Sequence, residues 1–184
     1  MKDAATCLLV LLLIWCSLIV QEFIPPLYGL DGARVLLVPM FVVYASLGLP
    51  FPYMVVVAFL AGWGSDLAGA QFVNGAPELA VGTTIFIFLA VGMICQGLRI
   101  LFLRGYWWLF SLMSGVSTSA LLAIQFILIS LRRFEHGGLE FNSVVLYRIL
   151  VPGVIAFLLA PFVQVAGHFL GRLVFPTEER RRVY

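Results

Sequence analysis

Between Arg148 and Arg172 the chain reads ILVPGVIAFLLAPFVQVAGHFLG (residues 149–171), with no Asp, Glu, Lys or Arg in the interval. The two arginines stand 24 positions apart, about 36 Å along a helix at 1.5 Å per residue. That length matches a hydrocarbon core of about 30 Å together with its two interfaces. Each arginine can lay its stem along the apolar helix and bring its charge to an opposite headgroup layer. The stretch therefore predicts a membrane-spanning helix over Val144–Val174, bent where Pro152 and Pro161 interrupt its backbone hydrogen bonding.

The same pattern recurs toward the N-terminus. Apolar runs predict further helices over Ala4–Val20, Val35–Leu47, Tyr53–Ala70, Leu79–Leu98 and Trp107–Leu131. Gly48-Leu49-Pro50-Phe51-Pro52 reads as a tight uncharged turn, and Asn74-Gly75 as another within a polar stretch. Of the 184 residues 62% are apolar and 11% charged, against about 25% charged in a soluble domain. The expected architecture is an all-α integral membrane protein of six transmembrane helices. It forms a single domain over residues 1–184, ending in a short basic tail at 176–184. Lys2 before an apolar run raises the alternative of a cleaved secretory signal. No A-x-A site follows the run, and Gln21-Glu22-Phe23-Ile24-Pro25-Pro26 reads as a stop, so a retained first helix is expected.

Orientation follows from the distribution of Lys and Arg. With the N-terminus in the cytoplasm, one side holds seven of them (Lys2, Arg99, Arg104, Arg172, Arg180, Arg181, Arg182) and the other four (Arg34, Arg132, Arg133, Arg148). The expectation is a multi-pass protein of the bacterial cytoplasmic membrane with both termini cytoplasmic. Tyr53, Tyr106, Trp107 and Trp108 stand where interfacial aromatic anchors belong.

Residues able to carry chemistry are few. An intramembrane serine protease needs a serine in a Gly-x-Ser-Gly setting and a histidine base. Gly115-Val116-Ser117-Thr118 lacks the final glycine, and His168 lies only four residues before Arg172, near the end of its helix. His136 follows Glu135 in a loop with no second ligand at helical spacing, which removes H-E-x-x-H metal chemistry. Cys7, Cys16 and Cys95 show no C-x-x-C or Cys/His spacing and read as small packing residues. Phosphate-binding glycine loops are absent, and a net charge of +2 does not suggest a nucleic-acid partner. No enzyme activity, cofactor or metal is expected.

Polar groups within the spans carry more information, because placing them in lipid is costly. Asp66, the one acidic residue inside a predicted span, lies 13 residues after Tyr53, about 20 Å along the helix. Ala58, Gly62, Asp66 and Gly69 share one helical face with Ser65 beside them, and such small residues admit another backbone closely. Two readings of Asp66 stand: buried and paired, or hydrated at the outer interface. For the paired reading Arg148 is the preferred partner and Arg34 the second, since both fall at the same side of the membrane. Ser111, Gly115, Ser119 and Ala123 form a similar strip, read either as packing within the monomer or as a seam for a partner. Gln96, Gln125 and Gln164 either bond across helices or sit near interfaces.

Ala58-Phe59-Leu60-Ala61-Gly62-Trp63-Gly64-Ser65-Asp66 resembles the G-F-x-x-G-L-x-x-D signature of the MreD family of rod-shape-determining membrane proteins. Ala58 stands for the first glycine and Trp63 for the usual leucine. Gly32-Ala33-Arg34 stands where the family often has Pro-Asp. Length, six spans and a basic tail after Phe175-Pro176 fit the resemblance. It implies a non-enzymatic scaffold of the cell-wall elongation complex, acting with an MreC-like periplasmic membrane protein, MreB, peptidoglycan synthases and membrane lipids. It also implies a fold similar to the substrate-binding subunits of energy-coupling-factor transporters. That similarity supplies the alternative of a small solute-binding membrane subunit. Such subunits carry Ala-x-x-x-Ala on the first helix, whereas here Ala4 and Ala5 are followed by Leu8 and Leu9.

Overall fold

The computed structural model describes residues 2–27, 32–69, 72–73, 76–77, 82–103, 108–132 and 143–174. These form six α-helices: α1 (Lys2–Phe23), α2 (Val38–Gly48), α3 (Phe51–Ala68), α4 (Thr83–Leu103), α5 (Trp108–Arg132) and α6 (Ser143–Val174). A two-residue antiparallel hairpin, β1 (Phe72–Val73) with β2 (Ala76–Pro77), lies between α3 and α4. The Asn74-Gly75 turn, His136, the loop at 133–142 and the basic tail at 176–184 lie outside the described residues.

Five of these helices are long and apolar enough to cross a membrane. Their outward faces carry Leu8, Phe86, Phe162 and Val165, each at least 70% exposed. A bundle that buried so little of its apolar surface would aggregate in water, whereas hydrocarbon is a fitting solvent for those faces. The length and apolarity of these five helices point to a multi-pass membrane protein. α6 runs unbroken through Pro152 and Pro161, and neighbouring helices make such prolines tolerable in a membrane.

The second helix differs from the sequence expectation of a sixth span. α2 has 11 residues, about 16 Å by helical rise, and is too short to cross a bilayer. Its start is set by Pro39 in the first turn. In a longer helix the Pro39 ring would clash with the carbonyl of Val35, and no N–H would answer that carbonyl. Arg34–Leu37 are therefore non-helical and feed into a helix beginning at Val38. Pro52 acts in the same way on α3, which opens at Phe51 within the stretch expected to be turn.

What α2 lacks in length it makes up in centrality. Eight of its 11 residues are buried, and its two faces enter different cores. Val38, Val42 and Ala45 pack with Val10 and Ile14 of α1, Val57 and Ala58 of α3, and Phe88 of α4. Met40, Val43 and Leu47 pack with Cys95 of α4, Phe110 of α5, and Ala156 and Ala160 of α6. Tyr44 meets Phe110 edge-to-face at 6.1 Å between ring centroids, a favourable quadrupole arrangement. α2 is an apolar post around which the longer helices stand.

Candidate functional site: a latched helix pair beside a polar cavity

Ala58 and Gly62 are buried on α3. A Cβ at Gly62 would lie 2.6 Å from Ile85 Cα and 2.7 Å from Ile85 N. Only a residue without a side chain lets the first turn of α4 come this close. One helical turn further along, Asp66 uses that proximity. Its Oδ2 accepts hydrogen bonds from the backbone N–H of Gly82, at 2.6 Å, and of Thr84, at 3.3 Å.

The first N–H groups of a helix have no partner within it, and they carry the positive end of its dipole. Asp66 therefore serves as an N-terminal cap supplied by a neighbouring helix. Gly82 has φ +105°, which L side chains rarely adopt, and glycine reaches it without a steric penalty. Asp66 thus meets backbone amides, partners that carry no mark in the sequence. Arg148 brings its Nη2 to 3.9 Å from where a Cβ of Gly32 would stand. Arg34 is exposed at the rim of the cavity described below. Gly69 is exposed and ends α3, donating its N–H to the Ser65 carbonyl at 2.9 Å.

The opposite end of the α3–α4 pair carries a reciprocal bond. Gln96 of α4 donates its Nε2 hydrogen to the carbonyl of Leu49 at 2.8 Å, in the turn joining α2 to α3. A buried carbonyl in a turn has no ladder partner, so the glutamine satisfies a group that would otherwise be costly in apolar surroundings. A third bond joins α5: Gln125 Nε2 donates to Thr84 Oγ1 at 3.3 Å. Gln96 and Gln125 bond across helices, as one of their two sequence readings has it; Gly82 and Thr84 carried no signal beyond a glycine and a threonine ahead of an apolar run.

Beside the Asp66 latch lies a cavity of about 200 Å³. It opens at the end of the bundle where α1 and α3 stop and α2 and α4 start, remote from Lys2. Its polar lining comes from Gln21 and Glu22 of α1, Arg34 ahead of α2, Ser65 of α3, Thr84 of α4 and Gln125 of α5. Gln21 Oε1 and Ser65 Oγ are buried and have no hydrogen-bond partner. The walls are apolar, among them Val38, Phe88 and Leu121. The non-helical backbone at Arg34–Leu37 borders this space, the setting in which irregular backbone is tolerated in a membrane protein.

The helix-five strip is placed on α6. Gly115 is buried, and a Cβ there would lie 2.9 Å from the Gly153 carbonyl and 3.1 Å from Phe157 Cβ. A Cβ at Gly153 would collide with the Ser119 hydroxyl. Ser111 and Ser114 are buried with unpartnered hydroxyls, whereas Ser117 and Thr118 return theirs to the Ser114 carbonyl at 3.1 and 2.7 Å. The Ser117 hydroxyl is thus engaged with its own helix, and the His168 side chain lies outside the described residues. Among the described residues no group of three His, Cys, Asp or Glu is placed to hold a metal ion. Comparison with protein-family models, with curated proteins and with solved structures finds no match for this chain.

Proposed function

We propose that this chain is a non-enzymatic membrane scaffold similar to the MreD family, part of the complex that elongates the bacterial cell wall. In this reading it lies in the cytoplasmic membrane with both termini inside. It meets an MreC-like periplasmic membrane protein and, through it or beside it, MreB and peptidoglycan synthases. The observation that carries the proposal is the joint task of Gly62 and Asp66, two of the three matching positions of the family-like signature, with Phe59 the third. Gly62 admits the start of α4 and Asp66 caps it. A motif that fixes helix ends suits a protein whose function is to present a rigid surface.

A second reading is a small solute-binding membrane subunit with a fold like that of energy-coupling-factor substrate-binding proteins. The polar cavity at the end of the bundle favours it. Co-purification from native membranes in mild detergent, with identification of associated proteins by mass spectrometry, separates the two. Elongation proteins are the expected companions of a scaffold; ATPases and a coupling membrane subunit in their place would overturn it. Orientation is tested by cysteine labelling in intact cells. An impermeant reagent should reach a cysteine placed in the loop at 133–142 and spare one placed after Phe175; the reverse pattern would refute it.

A further inference from the structure

We infer that the cavity bordered by Glu22 and Arg34 binds a small zwitterion, its ammonium held at Glu22 and its acid group at Arg34. The two side chains line one cavity of about 200 Å³, and neither makes an ion pair among the described residues. Opposite charges on the rim of an apolar-walled space attract a ligand whose own charges are complementary. Both side chains are exposed at the rim, and a net-neutral ligand with separated charges is complementary to the pair.

The uncharged lining has the same polarity. Gln21 Oε1, next to Glu22 in the chain, is a buried carbonyl oxygen without a donor. It can only accept a hydrogen bond, as from an ammonium N–H. On the other flank, α2 starts beside Arg34 with Leu37 as its N-cap and no side-chain hydrogen bond there. The positive end of that helix adds to the guanidinium in favouring an anion. Ser65 Oγ, buried and unpartnered, is able to donate or accept.

Size narrows the class. Pockets for drug- and cofactor-sized ligands span about 300–1,000 Å³, so this one suits a group on the scale of an amino acid or phosphoethanolamine. Two sources carry that chemistry: the headgroup of a zwitterionic phospholipid, or a free solute such as glycine. The inference stands apart from the scaffold proposal, which co-purification decides independently.

The test uses the full chain purified in mild detergent. Native mass spectrometry with equimolar phosphatidylethanolamine and phosphatidylglycerol examines the lipid source, and calorimetric titration with glycine and with phosphoethanolamine examines the free one. Expected is a preference of about tenfold for phosphatidylethanolamine, or saturable binding of a free zwitterion. Glu22→Gln should abolish that preference while phosphatidylglycerol is retained as before, a change of selectivity that misfolding would not produce. Arg34→Gln should weaken both lipids, or the free zwitterion, about tenfold. Equal retention of the two lipids together with no binding of either free zwitterion would overturn the inference. So would a preference, or free-zwitterion binding, that survives Glu22→Gln.

Discussion

α3–α4 and α5–α6 are both tight helix pairs, and they are held by different physics. In each, glycine lets two backbones approach: Gly62 against Ile85 in the first, Gly115 against Gly153 in the second. The α3–α4 pair adds a polar bond at each end, Asp66 to the amides of Gly82 and Thr84, and Gln96 to the carbonyl of Leu49. Around the α5–α6 glycines the surroundings are apolar and small. Gly115, Ser119, Ala123 and Gly153 border an open groove with Val116 and Phe157. Dispersion acts between any close surfaces and specifies little about register. A carboxylate seated on particular amides specifies one register and one end. The first pair is therefore keyed by a polar bond at each end, and the second by close packing of small residues.

Substitutions at five positions would break or sharpen this contrast, each measured by unfolding of the purified protein in detergent. The largest effect belongs to Gly62→Leu, which drives a side chain into the Ile85 backbone. A loss of about 3 kcal/mol is expected from overpacking, and a stable variant would mean that α4 is not held where the latch needs it. Asp66→Ala comes next, with about 1–2 kcal/mol for a lost cap. Asp66→Asn keeps an acceptor and should cost less; equal losses would show that the amide bonds matter little.

Gln96→Leu should cost about 1 kcal/mol by leaving the Leu49 carbonyl without its donor. The matching probe in the other pair is Gly115→Ala. There the new Cβ would stand 2.9 Å from the Gly153 backbone carbonyl, so crowding of about 1–3 kcal/mol exceeds the gain in helix propensity of up to about 1 kcal/mol, and a net loss of about 1 kcal/mol is expected. A much larger loss would make α5–α6 as exacting a contact as α3–α4. The smallest effect is a coupling. Asp66 bonds to backbone amides, and a double-mutant cycle of Asp66→Ala with Arg148→Ala reads whether an arginine adds to that cap: losses that add within about 0.5 kcal/mol leave the cap to the amides alone. Strong non-additivity would add the ion pair that the sequence suggested.

What the sequence determined by itself was whatever depends on composition and local spacing. Long uncharged runs specify helices in lipid, since in hydrocarbon each backbone amide must find its partner within its own segment. A lone aspartate at i+4 from a glycine marks α3 as the helix that meets another closely. The identity of its partner was beyond reach, because Asp66 bonds to amides 16 and 18 residues away and every residue carries an amide. Arginines stand out in an apolar sequence, and backbone donors do not. The shortness of α2 was half legible: Pro39 predicts where a helix starts, but only the packing of the other five helices reveals that the segment is buried as a post. The cavity was a tertiary matter altogether. Gln21, Arg34, Ser65 and Gln125 are far apart in sequence and share a space only because four helix ends and one non-helical segment meet there.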